Sequence, residues 1–290
     1  MSTGRRTVGE WLGLFEIDLA HRQLSTSTKS LYASSARMAT EMMGMPAQGL
    51  AAWDVLDSRH VASWFLAARS RGWSPSTQRI RATGLREFLG FLRHHGQEFA
   101  PIEDLLVVPA PCPEPPRFVD EAMALATIGA TRATRDRVLL QLLWESGALA
   151  EEVVSLCWSH VDALHGMVVF EGQPRGERRI RVSTKLLEDL IRLRPAGAPA
   201  SAPLFRSRSG RPLDRHRLYR IVVEAGRRAR LTSDVSPREF RHGRAIHWLR
   251  QGLSSGKVAD LLGHQSLNAM STYERLASLD LQVTDSSRPR

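Results

Sequence analysis

Between Pro109 and Pro116 the chain reads Pro-Ala-Pro-Cys-Pro-Glu-Pro-Pro, five prolines in eight positions. Each proline fixes its own φ and has no N–H to donate, so neither a helix nor an inner strand can run through the segment. It is expected to be an extended, stiff spacer at residues 109–116, and it divides the chain into two regions that must each build a core. With 290 residues in all, both regions are long enough to do so. Such a run also suits a proline-reading module, but its place between two folding regions favours a linker.

The region before the spacer reads as helices. Val8, Trp11, Leu12, Phe15 and Leu19 fall at helical spacing, and Ser25 or Ser27 can cap a second helix carrying Leu31, Tyr32, Ala36 and Met38. Asp57 or Ser58 opens a third. Ser74-Pro-Ser-Thr77 is a capped start, with proline in the first turn, for a fourth helix through Ile80, Leu85, Phe88, Leu89 and Leu92, rimmed by Arg79, Arg81, Arg86 and Arg93. Residues 1–108 are therefore expected to form a compact domain of four or five helices.

After the spacer, helices are expected from Asp120, from Arg135 to a stop at Gly147, and from Ala150 to Leu156. Short β-rich runs, Met167 to Phe170 and Arg179 to Val182, flank Gly172-Gln-Pro-Arg-Gly176, which is a hairpin signature. Helical patterns resume at 183–193, 214–230, 237–250, 254–262 and 268–277. The residues after Leu279 read as a polar, frayed tail.

The chain carries 40 Lys+Arg against 30 Asp+Glu, a formal +10, which points to an anionic partner. Residues 1–108 contribute +2, residues 109–200 contribute −1 and residues 201–290 contribute +9, so the excess is C-terminal. Three of the basic residues are lysines, Lys29, Lys185 and Lys257, and the rest are arginines, the side chain suited to bidentate phosphate contacts. An arginine-favouring coding bias accounts equally well for that ratio, though not for the clustering. Apolar stretches such as Val138 to Trp144 stop far short of the roughly 20 residues a membrane span needs, and no signal-type segment follows Met1, so a soluble, cytoplasmic protein is expected. Cys112 and Cys157 form no metal-type spacing and no disulfide framework.

The chemistry-bearing residues lie in order near the C-terminus: Ser236-Pro-Arg-Glu-Phe-Arg-His242, then Leu261-Leu-Gly-His264, then Tyr273. This order resembles the tyrosine recombinase (phage integrase, XerC/XerD-like) family. The family pattern has S-P-H-x-L-R-H, a leucine-leucine-glycine-histidine about 23 residues after the arginine, and a tyrosine nine residues further on. Arg135-Asp-Arg-Val-Leu-Leu140, Trp144-Glu-Ser-Gly147, Glu152 to Asp162, Leu204-Phe205 and Gly210-Arg-Pro-Leu213 also look like the family's catalytic domain. The N-terminal helices are similar to its core-binding domain.

The resemblance implies a mainly α fold with a small antiparallel β-sheet, in which a helical SAM-like core-binding domain (1–108) and a catalytic-type recombinase domain (117–277) close as a two-domain clamp on duplex DNA, with 278–290 as a tail. It further implies site-specific recombination in which Tyr273 attacks a phosphodiester and forms a 3′-phosphotyrosyl link. Bond energy is conserved, so neither a nucleotide cofactor nor a metal is expected. In the family, arginines stabilise charge on the non-bridging oxygens, a hairpin lysine protonates the leaving oxygen, and histidines assist the tyrosine or the phosphate. Carried over by position, the catalytic set is Tyr273, Arg241 and His264, with Arg238 standing in for the first histidine. Arg175, Arg178 and Arg179 of the hairpin, and Arg79 and Arg81 of the fourth helix, are expected to contact DNA, and the protein is expected to assemble on DNA as a homo- or hetero-oligomer at the nucleoid.

Two positions depart from the pattern. Leu149 stands where the first catalytic arginine belongs, three residues before Glu152, and Gln173 stands where the hairpin lysine belongs. Losing one preorganised oxyanion donor costs about 3–4 kcal/mol and losing a general acid a further 10²–10⁴ in rate, at typical magnitudes. A neighbouring arginine of the hairpin, a shifted alignment or a partner subunit would each restore part of this. The alternative is a catalytically weak or inactive paralogue serving as an architectural or regulatory DNA-binding subunit. Each retained residue also has a plainer interpretation. Tyr273 reads as a half-buried surface tyrosine, His264 as a helix cap, Arg241 as an ion pair with Glu239 or Asp234, and the basic run Arg206 to Arg230 as a solvated face; His242, His247 and His264 lack the spacing of a common zinc site.

Overall fold

Thr7 accepts a hydrogen bond from the Glu10 N–H at 3.2 Å and the Glu10 carboxylate takes the Thr7 N–H at 2.6 Å, a reciprocal cap that starts α1 (Val8–His21). Side-chain oxygens of Ser25, Asp57 and Ser74 likewise cap α2 (Thr26–Met42), α3 (Ser58–Ser70) and α4 (Pro75–His94). These helices are seen in a computed structural model that describes residues 6–109, 115–172, 176–207, 209–263 and 270–285. Most of the proline spacer, residues 110–114, lies outside the described residues. The chain divides into two compact units at Pro113/Glu114.

In the first unit Trp11 and Phe15 of α1 meet Phe88 and Phe91 of α4, with ring centroids 5.2–6.3 Å apart, and Trp53, Leu56 and Trp64 complete a buried aromatic core. α2 and α4 cross closely. A Cβ placed on Gly84 would sit 2.6 Å from the Ser35 Cβ, so only glycine permits this contact. Arg81 reaches over the same crossing to Ser34 Oγ at 2.7 Å and is half-buried there, while Arg79 is exposed.

The second unit is built around α6 (Thr134–Ser146). Val138, Leu139, Leu140, Leu142 and Leu143 are fully buried, so the helix is apolar on nearly every side and must run through the interior. α6 ends at Gly147, whose φ of 59° is left-handed, and a Cβ there would lie 2.9 Å from Leu262 Cδ2. Against α6 pack α5 (Glu121–Gly129), α7 (Ala150–Ser155), α8 (Thr184–Leu193) and α10 (Pro237–Arg250); α9 (Arg215–Arg228) packs on α5 and α7, and α11 (Ser255–Leu262) and α12 (Met270–Asp285) build a second core with α10.

Strands β1 (Val161–Asp162), β2 (Met167–Gly172) and β3 (Gly176–Arg181) form an antiparallel sheet in the order β1-β2-β3, with Met167 opposite Arg181 and Gly172 opposite Gly176. The turn between β2 and β3, which holds Gln173 and Arg175, lies outside the described residues. The mainly helical fold with a small sheet agrees with the expectation from sequence. The last helix does not stop near residue 277: α12 continues through Asp285, because neither glycine nor proline interrupts residues 270–285.

No helix among the described residues is long and apolar enough to cross a membrane.

Candidate active site

α10 opens with Ser236 as its cap and Pro237 in its first turn, and Glu239 returns to the Ser236 N–H at 2.6 Å. This fixes the first two turns, which carry Arg238, Arg241 and His242. The helix is pressed against the chain that enters the second unit: Val119 N–H donates to Glu239 O at 3.1 Å, and a Cβ on Gly243 would fall 1.7 Å from Val119 O. Glycine is therefore required at 243.

Arg241 is 6% exposed. It donates to Gly147 O at 2.8 Å and to Leu262 O at 2.7 Å, the carbonyls at the C-terminal ends of α6 and α11. Helix C-termini present unsatisfied carbonyls with partial negative charge, which satisfy guanidinium N–H groups without cancelling a full charge. Burial lowers the pKa of Arg241, partly opposed by Glu152. The ion pair with Glu239 or Asp234 considered from sequence is not what the geometry shows. Glu239 caps α10, and Asp234 pairs with Arg227 at 2.6 Å.

Tyr273 projects from α12 and is 4% exposed. Its Oη lies 2.7 Å from His242 Nδ1, and His242 Nε2 accepts from Arg238 Nε at 3.2 Å. Burial raises the Tyr273 pKa above the usual phenol value, with Arg241 and Arg238 pulling the other way. Tyr273, Arg241 and Arg238 are thus brought together. His264 lies outside the described residues, immediately after Gly263, the left-handed cap of α11 with φ of 70°. His242 closes the Ser236–His242 run that matches the family pattern, but the sequence gives it no role at the tyrosine. Its place one turn after Arg238 on α10 was the available signal.

Beside this group lies a cavity of about 370 Å³ lined by Leu149, Arg178, Arg179, Arg241, Lys257 and Gly263, among others. Leu149, at the first-arginine position, is 47% exposed and lines it with an apolar side chain. Arg178 does not project freely to solvent. It forms a bidentate ion pair with Glu152, with Nη2 to Oε2 at 2.6 Å, donates from Nε to Leu261 O at 3.0 Å, and stacks over Phe170 at 4.6 Å. Arg179 is exposed and paired with Glu177 at 2.7 Å. Lys257, on α11, is exposed at the cavity and forms no ion pair among the described residues. Sequence proximity to Gln173 gave no hint of it, because packing of α11 against β3 brings it there.

His247 lies against the Trp144 ring and 3.8 Å from Glu121, away from Tyr273's partners, and among the described residues no group of three or more His, Cys, Asp or Glu is placed to hold a metal ion. In the basic run, Arg227 and Arg228 are paired with Asp234 and Glu224, while Arg215 and Arg220 stand exposed on α9.

A helical unit with a three-stranded sheet, a tyrosine on its last helix and a buried arginine beside it defines a class, and comparison with known proteins agrees. The phage integrase family model matches residues 117–279. This chain belongs to the phage integrase family, the tyrosine recombinases, which act in site-specific DNA recombination. The tyrosine recombinase XerC of Serratia marcescens is 30% identical over 280 residues, covering 93% of this chain and 91% of that protein. XerC of Salmonella typhi is 29% identical over 277 residues, covering 93% and 92%. Among solved structures, the lambda integrase tetramer bound to a Holliday junction matches with a TM-score of 0.74 at 17% identity, covering 94% of this chain and 79% of that one. XerH bound to its difH substrate before cleavage matches with a TM-score of 0.69 at 15% identity, covering 94% of each.

Proposed function

We propose that this protein cleaves and rejoins duplex DNA at a specific sequence with Tyr273 as the nucleophile. The observation that carries this reading is the placement of Tyr273 Oη 2.7 Å from His242 Nδ1, with Arg241 adjacent on the same turn of α10. In the reaction, Oη forms a bond to phosphorus as the bond from phosphorus to the 5′ oxygen breaks. The phenolic proton leaves to water, and the departing 5′ oxygen takes a proton from the Lys257 ammonium. The products are a 3′-phosphotyrosyl link and a free 5′-hydroxyl, and rejoining reverses the step.

Arg241 stabilises the charge gathered on the non-bridging oxygens. Lys257 takes the part left open by Gln173: an ammonium gives up a proton to an alkoxide more readily than a guanidinium, so an arginine of the hairpin would supply charge but not the proton. Arg178 acts differently from the DNA contact expected of it. Its bidentate pair with Glu152 makes it the tie between β3, α7 and α11. Arg79, Arg179 and the exposed Arg215 and Arg220 contact phosphates, Arg81 braces α2 against α4, and the helices of residues 1–108 serve as the core-binding domain to the 117–277 catalytic domain. His264 takes the family's second histidine role. Lambda integrase has been solved on DNA as a dimer and a tetramer, and we place this chain on DNA as an oligomer in the cytoplasm at the nucleoid.

The test is covalent trapping. Duplexes that the protein selects from a random pool are rebuilt as nicked half-sites, and adducts are read on a denaturing gel. Wild type should form an adduct that Tyr273→Phe abolishes. Tight binding with no adduct from wild type would overturn cleavage and leave an architectural DNA-binding subunit.

A further inference from the structure

A neutral imidazole has one nitrogen that donates and one that accepts, whereas a guanidinium Nε–H only donates. His242 is held at both nitrogens, at 3.2 Å from Arg238 Nε and at 2.7 Å from Tyr273 Oη. Nε2 must therefore be the bare nitrogen, which leaves the hydrogen on Nδ1. We propose that Arg238 locks His242 in its Nδ1–H tautomer, so that His242 donates to Tyr273 Oη and stabilises the phenolate instead of acting as the base that removes the phenolic proton. This rests on Tyr273 being the nucleophile only for its consequence, since the tautomer is a property of the free protein.

The arrangement answers a difficulty posed by the site. Tyr273 is buried, and burial opposes its ionisation. Among the described residues, the charged groups acting on the phenol include Arg241 and Arg238 from α10, while Glu274 of its own helix is hydrogen-bonded to Ser255 of α11. A donor fixed on Oη adds a directional stabilisation of the anion that distant charge does not supply. His242 touches the reacting oxygen, and Arg238 acts through it as a positioning residue. Arginine at 238, where the family pattern has a histidine, thereby acquires a specific consequence: a histidine there need not donate, but an arginine always does.

The two ring nitrogens of a histidine differ in ¹⁵N shift according to which carries the hydrogen, and the His242 signals are identified as those missing from His242→Gln. Full-length wild type should show hydrogen on Nδ1 and a bare Nε2. Arg238→Gln places an amide N–H at the same distance along the side chain and should keep that tautomer without the charge, and Arg238→Met should lose it. The chain has only three tyrosines, so an absorbance titration of wild type minus Tyr273→Phe isolates the ionisation of Tyr273. Its midpoint should lie about one to two units higher in Arg238→Met than in Arg238→Gln, the size of one hydrogen bond to a charged group. Hydrogen on Nε2 in wild type, or the same tautomer and midpoint in Arg238→Met and Arg238→Gln, would overturn the proposal. Neither measurement needs DNA cleavage, so failure in half-site trapping would count against Tyr273 as nucleophile while leaving the tautomer result standing.

Discussion

Glu152→Gln should release β3 from α7 in the cavity wall. The Glu152 and Arg178 side chains are 15% and 11% exposed, and their bidentate contact includes Nη2 to Oε2 at 2.6 Å. Removing one partner of a buried pair leaves the other charge uncompensated, at a cost of about 3–5 kcal/mol. Part of that is spared: the glutamine carbonyl still accepts the Leu149 N–H that Glu152 binds at 2.7 Å, and Arg178 keeps Leu261 O and the Phe170 face. The lower end, about 3 kcal/mol or a factor of roughly 150 in local opening, is the expected value. Amide hydrogen exchange of α7 and β3 in the full chain reads this directly. The double variant Glu152→Gln with Arg178→Met removes both charges and should open less than the sum of the two single variants by at least about 1–2 kcal/mol, because neither charge is then stranded. If Glu152→Gln changes protection by under about 1 kcal/mol and the cycle shows no coupling, the pair does not hold the cavity together as argued.

Three further outcomes follow from single contacts. Gly243→Ala forces a Cβ to within 1.7 Å of Val119 O, so the segment at Val119 must move off α10; at about 3 kcal/mol the melting temperature should fall by about 6–12 °C, read by differential scanning calorimetry, and an unchanged melt would contradict the close approach. Lys257→Ala should slow half-site trapping by about 10²–10⁴ while DNA affinity falls less than about tenfold. A substrate whose 5′ leaving oxygen is replaced by sulfur, which departs without a proton, should restore the rate, and no restoration would remove Lys257 from the acid role. Asp57, hydrogen-bonded to Arg59 and His60 at the start of α3, is lowered to about 2. A depressed carboxylate stabilises the fold above its unfolded value near 3.9 and loses that contribution as pH falls through about 2. Asp57→Asn should therefore remove part of the acid sensitivity of the first unit between those values, measured by circular dichroism.

Much of this architecture was legible because it depends on local rules. Ser25, Asp57 and Ser74 cap the helices they were expected to cap, and Gly147 ends α6 in the left-handed conformation that glycine favours. Gly172 and Gly176 face each other across the hairpin, since paired glycines around a short turn leave few alternatives. The end of α12 was missed because polar residues were read as a tail although nothing in them stops a helix. Arg178 is grouped from sequence with Arg175 and Arg179 as a DNA contact, yet period-two alternation puts it on the face of buried Ile180, and that signal is in the sequence. The contacts of His242 and Lys257 were beyond local rules. One depends on α10 meeting α12, and the other on α11 meeting β3.

The cationic groups of the cavity have a division of labour that composition alone conceals. Arg178 is bound to a carboxylate and spends its charge on structure. Arg241 is gripped by carbonyls at the ends of α6 and α11, so its position is fixed by dipoles that leave the guanidinium charge available to a phosphate. Both arginines bind the last carbonyls of α11, Leu261 O and Leu262 O, and Lys257 stands one turn earlier on that same helix. The helix that carries the lysine is therefore fixed to the arginine with which it lines the cavity. In the proposed reaction, with Leu149 and Gln173 at two family positions, α11 would be the element that holds the proton donor Lys257 and the phosphate-binding Arg241 in one frame. Loosening α11 should consequently lower cleavage more than DNA binding, even where no residue touching DNA has changed.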